Sequence, residues 1–348
     1  MPVTHFDSAV IQSLHEYLRE QRLPGAAAAE LTIEKYPGGY SNLTYEIGLG
    51  AHSYVLRRPP PGVAAGGTAH NMEREYGILK ALEGRYSGAP DAYFYCGEAA
   101  VIGAPFYVMQ RVAGLVLRPG APVAERFAPA DFRRLSIVAV DTLAELHAVD
   151  TDADGLRDLG RPAGYIERQI GGWSRRYERA RTHDLPAMER AAVWLAANLP
   201  AELDRPALLH NDFKYDNLLL DPAEPTHILA LLDWEMATLG DPRMDLGTTL
   251  AYWSEAGDPP ALRPFNLSWL PGNLTRRELL DRYTTQTGVD TAEFSFFYVY
   301  GLFKVGVICQ QIYARYRQGH TQDKRFAGLG EVVRACGALA ERTLEEGM

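Results

Sequence analysis

The chain has no surplus of basic residues. Its 35 Lys and Arg stand against 44 Asp and Glu, a formal charge of −9 at pH 7. A protein that coats a nucleic-acid backbone needs a cationic excess, so general nucleic-acid binding is excluded and any nucleotide must be recognised locally. Cysteine is scarce: Cys96, Cys309 and Cys336 are odd in number and far apart, which gives neither a disulfide framework nor zinc-ligand spacing. Such usage fits a reducing compartment, and the expectation is a cytoplasmic protein. Long apolar runs free of polar residues are missing too. The one membrane candidate, Phe294 to Tyr313, carries Lys304, Gln310 and Gln311, which suits a buried helix of a water-soluble protein better than a span. The N-terminus lacks the charged-then-apolar order of an export signal and reads as an amphipathic helix opening at Asp7. Internal repeats and low-complexity tracts are likewise absent.

What is present is an ordinary globular composition, 47% apolar and 23% charged over 348 residues, with room for two cores. The most informative stretch runs from Leu208 to Leu250. Within it His210, Asp212 and Asn217 form H-x-D-x-x-x-x-N, and the apolar run Ile228 to Leu232 ends abruptly at Asp233. Kinase catalytic loops and their metal-binding Asp have this layout. Phosphoryl transfer needs one carboxylate to accept the acceptor hydroxyl's proton, and oxygen ligands to hold Mg²⁺, a hard cation. Asp212 suits the first role; Asn217 and Asp233 suit the second. Leu218 to Leu220 and Ile228 to Leu232 read as strands joined by a polar loop, a hairpin whose open end carries Asn217 and Asp233. An H-x-D pair alone could equally cap a turn; the full set is far more specific.

Upstream, Leu31 to Lys35 and Tyr45 to Leu49 read as strands around a turn containing Gly38, Gly39, Ser41 and Asn42, which can offer backbone N–H groups to a triphosphate. The next strand, Ser53 to Arg57, ends in LRRPPPG, so Arg57 or Arg58 occupies the place of the phosphate-contacting lysine of kinases. Alternation puts these two arginines on opposite faces. Arg57 is preferred because Arg58 directly precedes Pro59, where the strand is already ending. A helix over Asn71 to Leu82 places Glu75 within its apolar arc, and a carboxylate there calls for a cationic partner from this arginine pair. Strands at Ala92 to Cys96 and Phe106 to Arg111 follow, and the backbone of Gln110 and Val112 is the candidate edge for an adenine ring. Ala113 and Gly114 then break the pattern, and from Asp131 the chain turns helical. His147 reads as a structural histidine, the arginines of the Tyr165 to Arg181 helix as a solvated face, and Asp245 as a helix cap or a brace for the catalytic loop.

Taken together, HNDFKYDN, LLDWE, GDPRMDL, VLRRPPPG and GAPFYVMQ resemble the aminoglycoside phosphotransferase family, and more closely its branch also found joined to acyl-CoA dehydrogenases. The likeness covers about Leu31 to Gly319. It implies an α+β, protein-kinase-like bilobal fold, with a small five-stranded antiparallel sheet lobe over 1–112 and a larger helical lobe over 113–348. It also implies ATP or GTP with Mg²⁺, Asp212 as catalytic base, Asn217 and Asp233 as metal ligands, and Glu75 as the partner of the strand cation. The expected function is transfer of a γ-phosphoryl group to a hydroxyl of a small molecule, with hydroxyacyl compounds among the candidates. A functional link to an acyl-CoA dehydrogenase is the expected partnership, without nucleic acid or membrane. The alternative is a nucleotide-binding regulator of the same fold without turnover. Two positions depart from the drug-modifying members: Arg in place of the usual strand Lys, and Asn211 where Gly is common.

Overall fold

The structure, a computed structural model, describes residues 6–36, 42–60, 70–120, 125 and 127–348. The fold is bilobal, a small antiparallel sheet unit followed by a larger helical one. The first unit comprises Met1–Ala113 together with Asp154–Leu156 and Ala230–Met236; the second holds the rest.

In the first unit, helix α1 (Ser8–Glu20) is capped by Asp7, whose carboxylate accepts the Val10 N–H at 2.9 Å. Strands β1 (Leu31–Lys35), β2 (Leu43–Leu49), β3 (His52–Arg58), β4 (Ala92–Cys96) and β5 (Phe106–Gln110) form one sheet in the order β1-β2-β3-β5-β4, antiparallel throughout. Helix α2 (Met72–Leu82) precedes β4, and a single-turn helix α3 (Ala99–Ile102) fills the connection between β4 and β5. Tyr54, Leu56, Phe106 and Val108 join Leu14 and Leu18 of α1 and Ile102 of α3 in one core. Because side chains alternate along β3, Arg57 must leave the sheet on the opposite face. That face is where α2 turns its buried residues, Glu75 among them.

The second unit is mostly helical: α4 (Pro129–His147), α5 (Tyr165–Ala180), α6 (Pro186–Ala197), α7 (Pro242–Tyr252), α8 (Arg276–Thr287), α9 (Ser295–Arg317) and α10 (Leu329–Glu346). Strand β6 (Leu115–Val116) pairs antiparallel with β8 (Leu218–Leu220), and β9 (Ile228–Leu231) is the third strand of that sheet, so the expected β8-β9 adjacency is present. β7 (Ala207–Leu209) pairs with β10 (Thr238–Gly240). Helix α9 packs on α5, α7 and α10 and is buried over most of its length. Its approach to α7 is backbone to backbone, because a Cβ on Gly247 would overlap the Phe297 carbonyl and one on Gly301 the Gly247 carbonyl. Among the described residues no helix is long and apolar enough to cross a membrane.

Candidate active site

The catalytic loop leaves β7 at His210, makes a sharp turn at Asn211, and returns through a 3₁₀ turn, Tyr215–Asn217, into β8. Asn211 has φ +67°, the left-handed region that costs an ordinary side chain about 1–2 kcal/mol. Asparagine tolerates that region best among non-glycine residues, so the departure from Gly preserves the turn rather than altering it. Asp245, fully buried in the first turn of α7, fixes the turn by accepting the N–H groups of His210 at 2.6 Å and Asn211 at 2.8 Å. Its own carboxylate is oriented by His147 Nε2 at 3.2 Å, and His147 Nδ1 meets the Tyr283 hydroxyl at 2.6 Å. Asp245 is therefore the brace, and His147 has a supporting role. Burial works against ionisation of Asp245, but His147, His210 and Lys304 outweigh it and hold the carboxyl below its usual range.

Asp212 follows that turn. Its Oδ2 accepts the Lys214 ammonium at 2.8 Å and the Asn217 amide N–H at 2.9 Å, and Asn217 Nδ2 also donates to the Asp212 carbonyl at 2.7 Å. Burial opposes the charge on Asp212, yet Lys214 and His210 more than compensate, so its carboxyl is depressed and ionised at neutral pH. With Nδ2 committed twice, Asn217 keeps its amide oxygen Oδ1 as the atom able to ligate a cation.

A second cluster belongs to the first unit. Arg57, its side chain 10% exposed, places Nε 3.2 Å from Glu75 Oε1 and Nη2 3.0 Å from Asp233 Oδ1, with Glu235 Oε2 at 3.7 Å. Burial raises the Glu75 carboxyl, against the pull of Arg57, while Glu75, Asp233 and Glu235 keep the guanidinium charged despite its own burial. Asp233, at the end of the β9 segment, also has a left-handed backbone, φ +68°, which turns the chain sharply out of the strand. The segment is fastened by Leu231 N–H to the Gly88 carbonyl at 2.7 Å and by Trp234 packed edge-on against Tyr86. Arg58 lies elsewhere: its Nη1 donates to the Ile102 carbonyl at 2.9 Å and its guanidinium covers the Phe6 ring.

This chemistry has a counterpart among known proteins. The pattern of the phosphotransferase enzyme family matches residues 32–280. The chain belongs to that family. The members of this family are phosphotransferase enzymes. Among curated proteins, the phosphotransferase is 36% identical to acyl-CoA dehydrogenase family member 11 of Gallus gallus over 96% of its own length and 43% of the relative's, and 34% identical to that of Homo sapiens over 99% and 44%. It thus spans under half the length of these relatives. A solved structure from Ralstonia eutropha, of a protein assigned to the aminoglycoside phosphotransferases, aligns with a TM-score of 0.82 at 29% identity, covering 98% of this chain and 99% of that one. The GDP complex of aminoglycoside 2'-phosphotransferase-IIIa aligns at 0.62 with 16% identity over 94% and 99%, a likeness of fold.

Of the eleven residues singled out from sequence, five fall into these two clusters. Asp212 and Asn217 are joined directly, as are Arg57, Glu75 and Asp233. Gly38, Gly39 and Ser41 lie outside the described residues. The Asn42 side chain is engaged within the first unit, with Nδ2 on Glu235 Oε2 at 2.9 Å and Oδ1 2.8 Å from His70 Nδ1. The Gln110 N–H already donates to the Asp91 carbonyl at 2.7 Å, which removes that amide as a donor to a base; Val112 lies in the irregular link at 111–114. Lys214, Glu235 and Lys304 are functional candidates that sequence reasoning passed over. For the first two the signal was position, each lying two residues beyond a key aspartate.

The left-handed turn gives a direct test. Asn211→Gly and Asn211→Ala lose the same side-chain contacts, so their difference isolates the backbone. The alanine variant should be less stable by about 1 kcal/mol in thermal or denaturant unfolding. Equal stability of the two would mean that the backbone conformation at Asn211 carries no such strain.

Proposed function

We propose that the chain is an ATP- or GTP-dependent kinase whose Asp212 accepts the proton of a small-molecule alcohol, with hydroxyacyl compounds as the acceptor class. The observation that carries this reading is the bonding of Asp212, a carboxylate kept ionised by Lys214 and oriented by the Asn217 amide. The hydroxyl oxygen attacks the γ-phosphorus, the bond from phosphorus to the bridging oxygen breaks to release the nucleoside diphosphate, and the hydroxyl proton passes to Asp212 as the new bond forms. A depressed carboxyl is a weak base, which suits a loose transition state where the proton moves late. Lys214 neutralises charge beside the reacting oxygen. Asn217 Oδ1 and the Asp233 carboxylate are all-oxygen donors suited to Mg²⁺, which when bound with nucleotide would screen the β- and γ-phosphates. Arg57 orients Asp233 and supplies a permanent positive charge for phosphate oxygens.

The hydroxyacyl acceptor is supported by the names of the relatives, acyl-CoA dehydrogenases in chicken, rat, human and mouse. An acyl chain bearing a hydroxyl is the kind of compound that a kinase could prepare for such a dehydrogenase. A panel of hydroxylated metabolites, including hydroxyacyl-CoA esters, antibiotics and choline-like alcohols, assayed for nucleotide consumption, tests this. Turnover confined to antibiotics would overturn the acceptor class.

A regulator without turnover is the second reading, favoured by the engagement of Arg57 with three carboxylates. Single-turnover assays with labelled nucleotide separate the two. For the metal, Asp233→Ala should abolish the Mg²⁺ dependence of nucleotide binding measured by calorimetry with and without the ion. An unaltered Mg²⁺ increment would remove Asp233 from the ligand set.

A further inference from the structure

Helix α9 carries a lysine among buried apolar neighbours. Lys304 is 1% exposed, between the fully buried Phe303 and Val305. An ammonium has three N–H donors and accepts nothing, and three acceptors surround this one: the Asn211 carbonyl at 2.8 Å, Asn211 Oδ1 at 3.2 Å and Thr248 Oγ1 at 3.4 Å. The backbone contact of Gly247 with α9 is what lets the lysine reach Thr248 and the loop beyond it. We propose that Lys304 is a positioning residue, which aims Asp212 by holding the peptide between Asn211 and Asp212; this rests on the reading of Asp212 as the base.

The geometry distinguishes this from simple core filling. Asp245 grips the N–H groups of His210 and Asn211, while Lys304 grips the carbonyl of Asn211, so opposite charges clamp the peptides on either side of the left-handed residue. Lys304 also takes the Asn211 side chain, binding main-chain and side-chain oxygens of one residue at once. Rotation of the peptide that leads into Asp212 would break both contacts. Packing alone gives no reason for a charge here, since an apolar side chain of similar length would fill the space without the cost of burying an ammonium. Burial in fact pulls Lys304 down to about 8, with Asp245 and Asp212 acting in the other direction, so it is charged at neutral pH.

The experiment compares the parent protein with Lys304→Met, Lys304→Gln and Asp212→Asn. It measures hydrogen exchange in peptides covering 207–220, the melting temperature, and kcat and KM. For Lys304→Met the loop amides should exchange faster while α9 stays protected, and kcat should fall about 10²-fold, the cost of a catalytic group displaced by about 1 Å. KM for nucleotide should stay within about threefold, because ground-state binding is not what the clamp serves. Lys304→Gln, whose amide can still donate to the Asn211 carbonyl, should recover part of kcat, and it carries the test if the methionine variant does not fold. Unchanged loop exchange overturns the proposal, as does faster exchange with unchanged kcat. A broad loss of protection along α9 with a lowered melting temperature makes Lys304 merely structural. If Asp212→Asn turns over like the parent, the base assignment falls by itself, and the exchange data still decide whether Lys304 holds the loop.

Discussion

Asp212→Asn is expected to slow phosphoryl transfer by roughly 10²- to 10⁴-fold, the range for loss of a general base, and to leave nucleotide affinity nearly intact. The amide is isosteric, so the turn held by Asp245 and the Asn217 Nδ2 bond to the Asp212 carbonyl both survive. What disappears is the negative charge, and with it the ion pair to Lys214 at 2.8 Å. Ground-state binding of nucleotide does not rest on that pair, so KM should hold steady while kcat falls. Single-turnover rates at saturating nucleotide check this. A rate within a few-fold of the parent would assign the proton to another acceptor, and Asp216, 3.8 Å from Lys214, would be the next carboxylate to substitute.

Local pattern explains why so much of this site could be read before the fold was known. Asp212 and Asn217 are five residues apart and are fixed by one short turn, so their spacing already carries their geometry. Glu75 follows Met72 by three residues and precedes Leu79 by four, which places it on the buried side of α2 whatever that helix packs against. Strand alternation likewise separates Arg57 from Arg58. What could not be read depends on contacts between distant parts of the chain. Lys304 meets Asn211 across 93 residues, and in the sequence it appears only as a polar interruption of an apolar helix. The Gln110 amide is taken by Asp91 through irregular pairing at the end of β4, where the register shifts, and no side-chain pattern records that. Helix α3 is one turn long, too short for periodicity to show. Helix α8 was legible in principle, since Thr275 and Glu278 form a capping box with both reciprocal bonds.

The strand cation gives the second large effect. Arg57→Ala should lower the melting temperature sharply, because it strips Glu75, 2% exposed, of its cation and releases Asp233 as well. Removing one partner of a buried ion pair costs about 3–5 kcal/mol, much of it from the charge left behind. The Glu75 carboxyl is then expected to rise further: burial already raises it, and Arg57 is the main group opposing that rise. The sign follows from linkage. A carboxyl whose folded pKa is raised loses folding stability as pH climbs above its unfolded value, so the Arg57→Ala protein should lose more stability than the parent between mildly acidic and neutral pH. Nucleotide affinity should fall in the same variant by about 10- to 100-fold, since a hydrogen bond to a charged group contributes about 1.5–3 kcal/mol. Arg58→Ala loses its bonds to the Ile102 and Pro59 carbonyls and its cover of Phe6, and should leave nucleotide binding unchanged. The double variant Arg57→Met with Glu75→Leu separates stability from binding, because removing both charges together should restore much of the melting temperature without restoring affinity. If the double variant recovers nucleotide binding as well, Arg57 serves only to neutralise Glu75, and the phosphate-binding cation must be sought elsewhere.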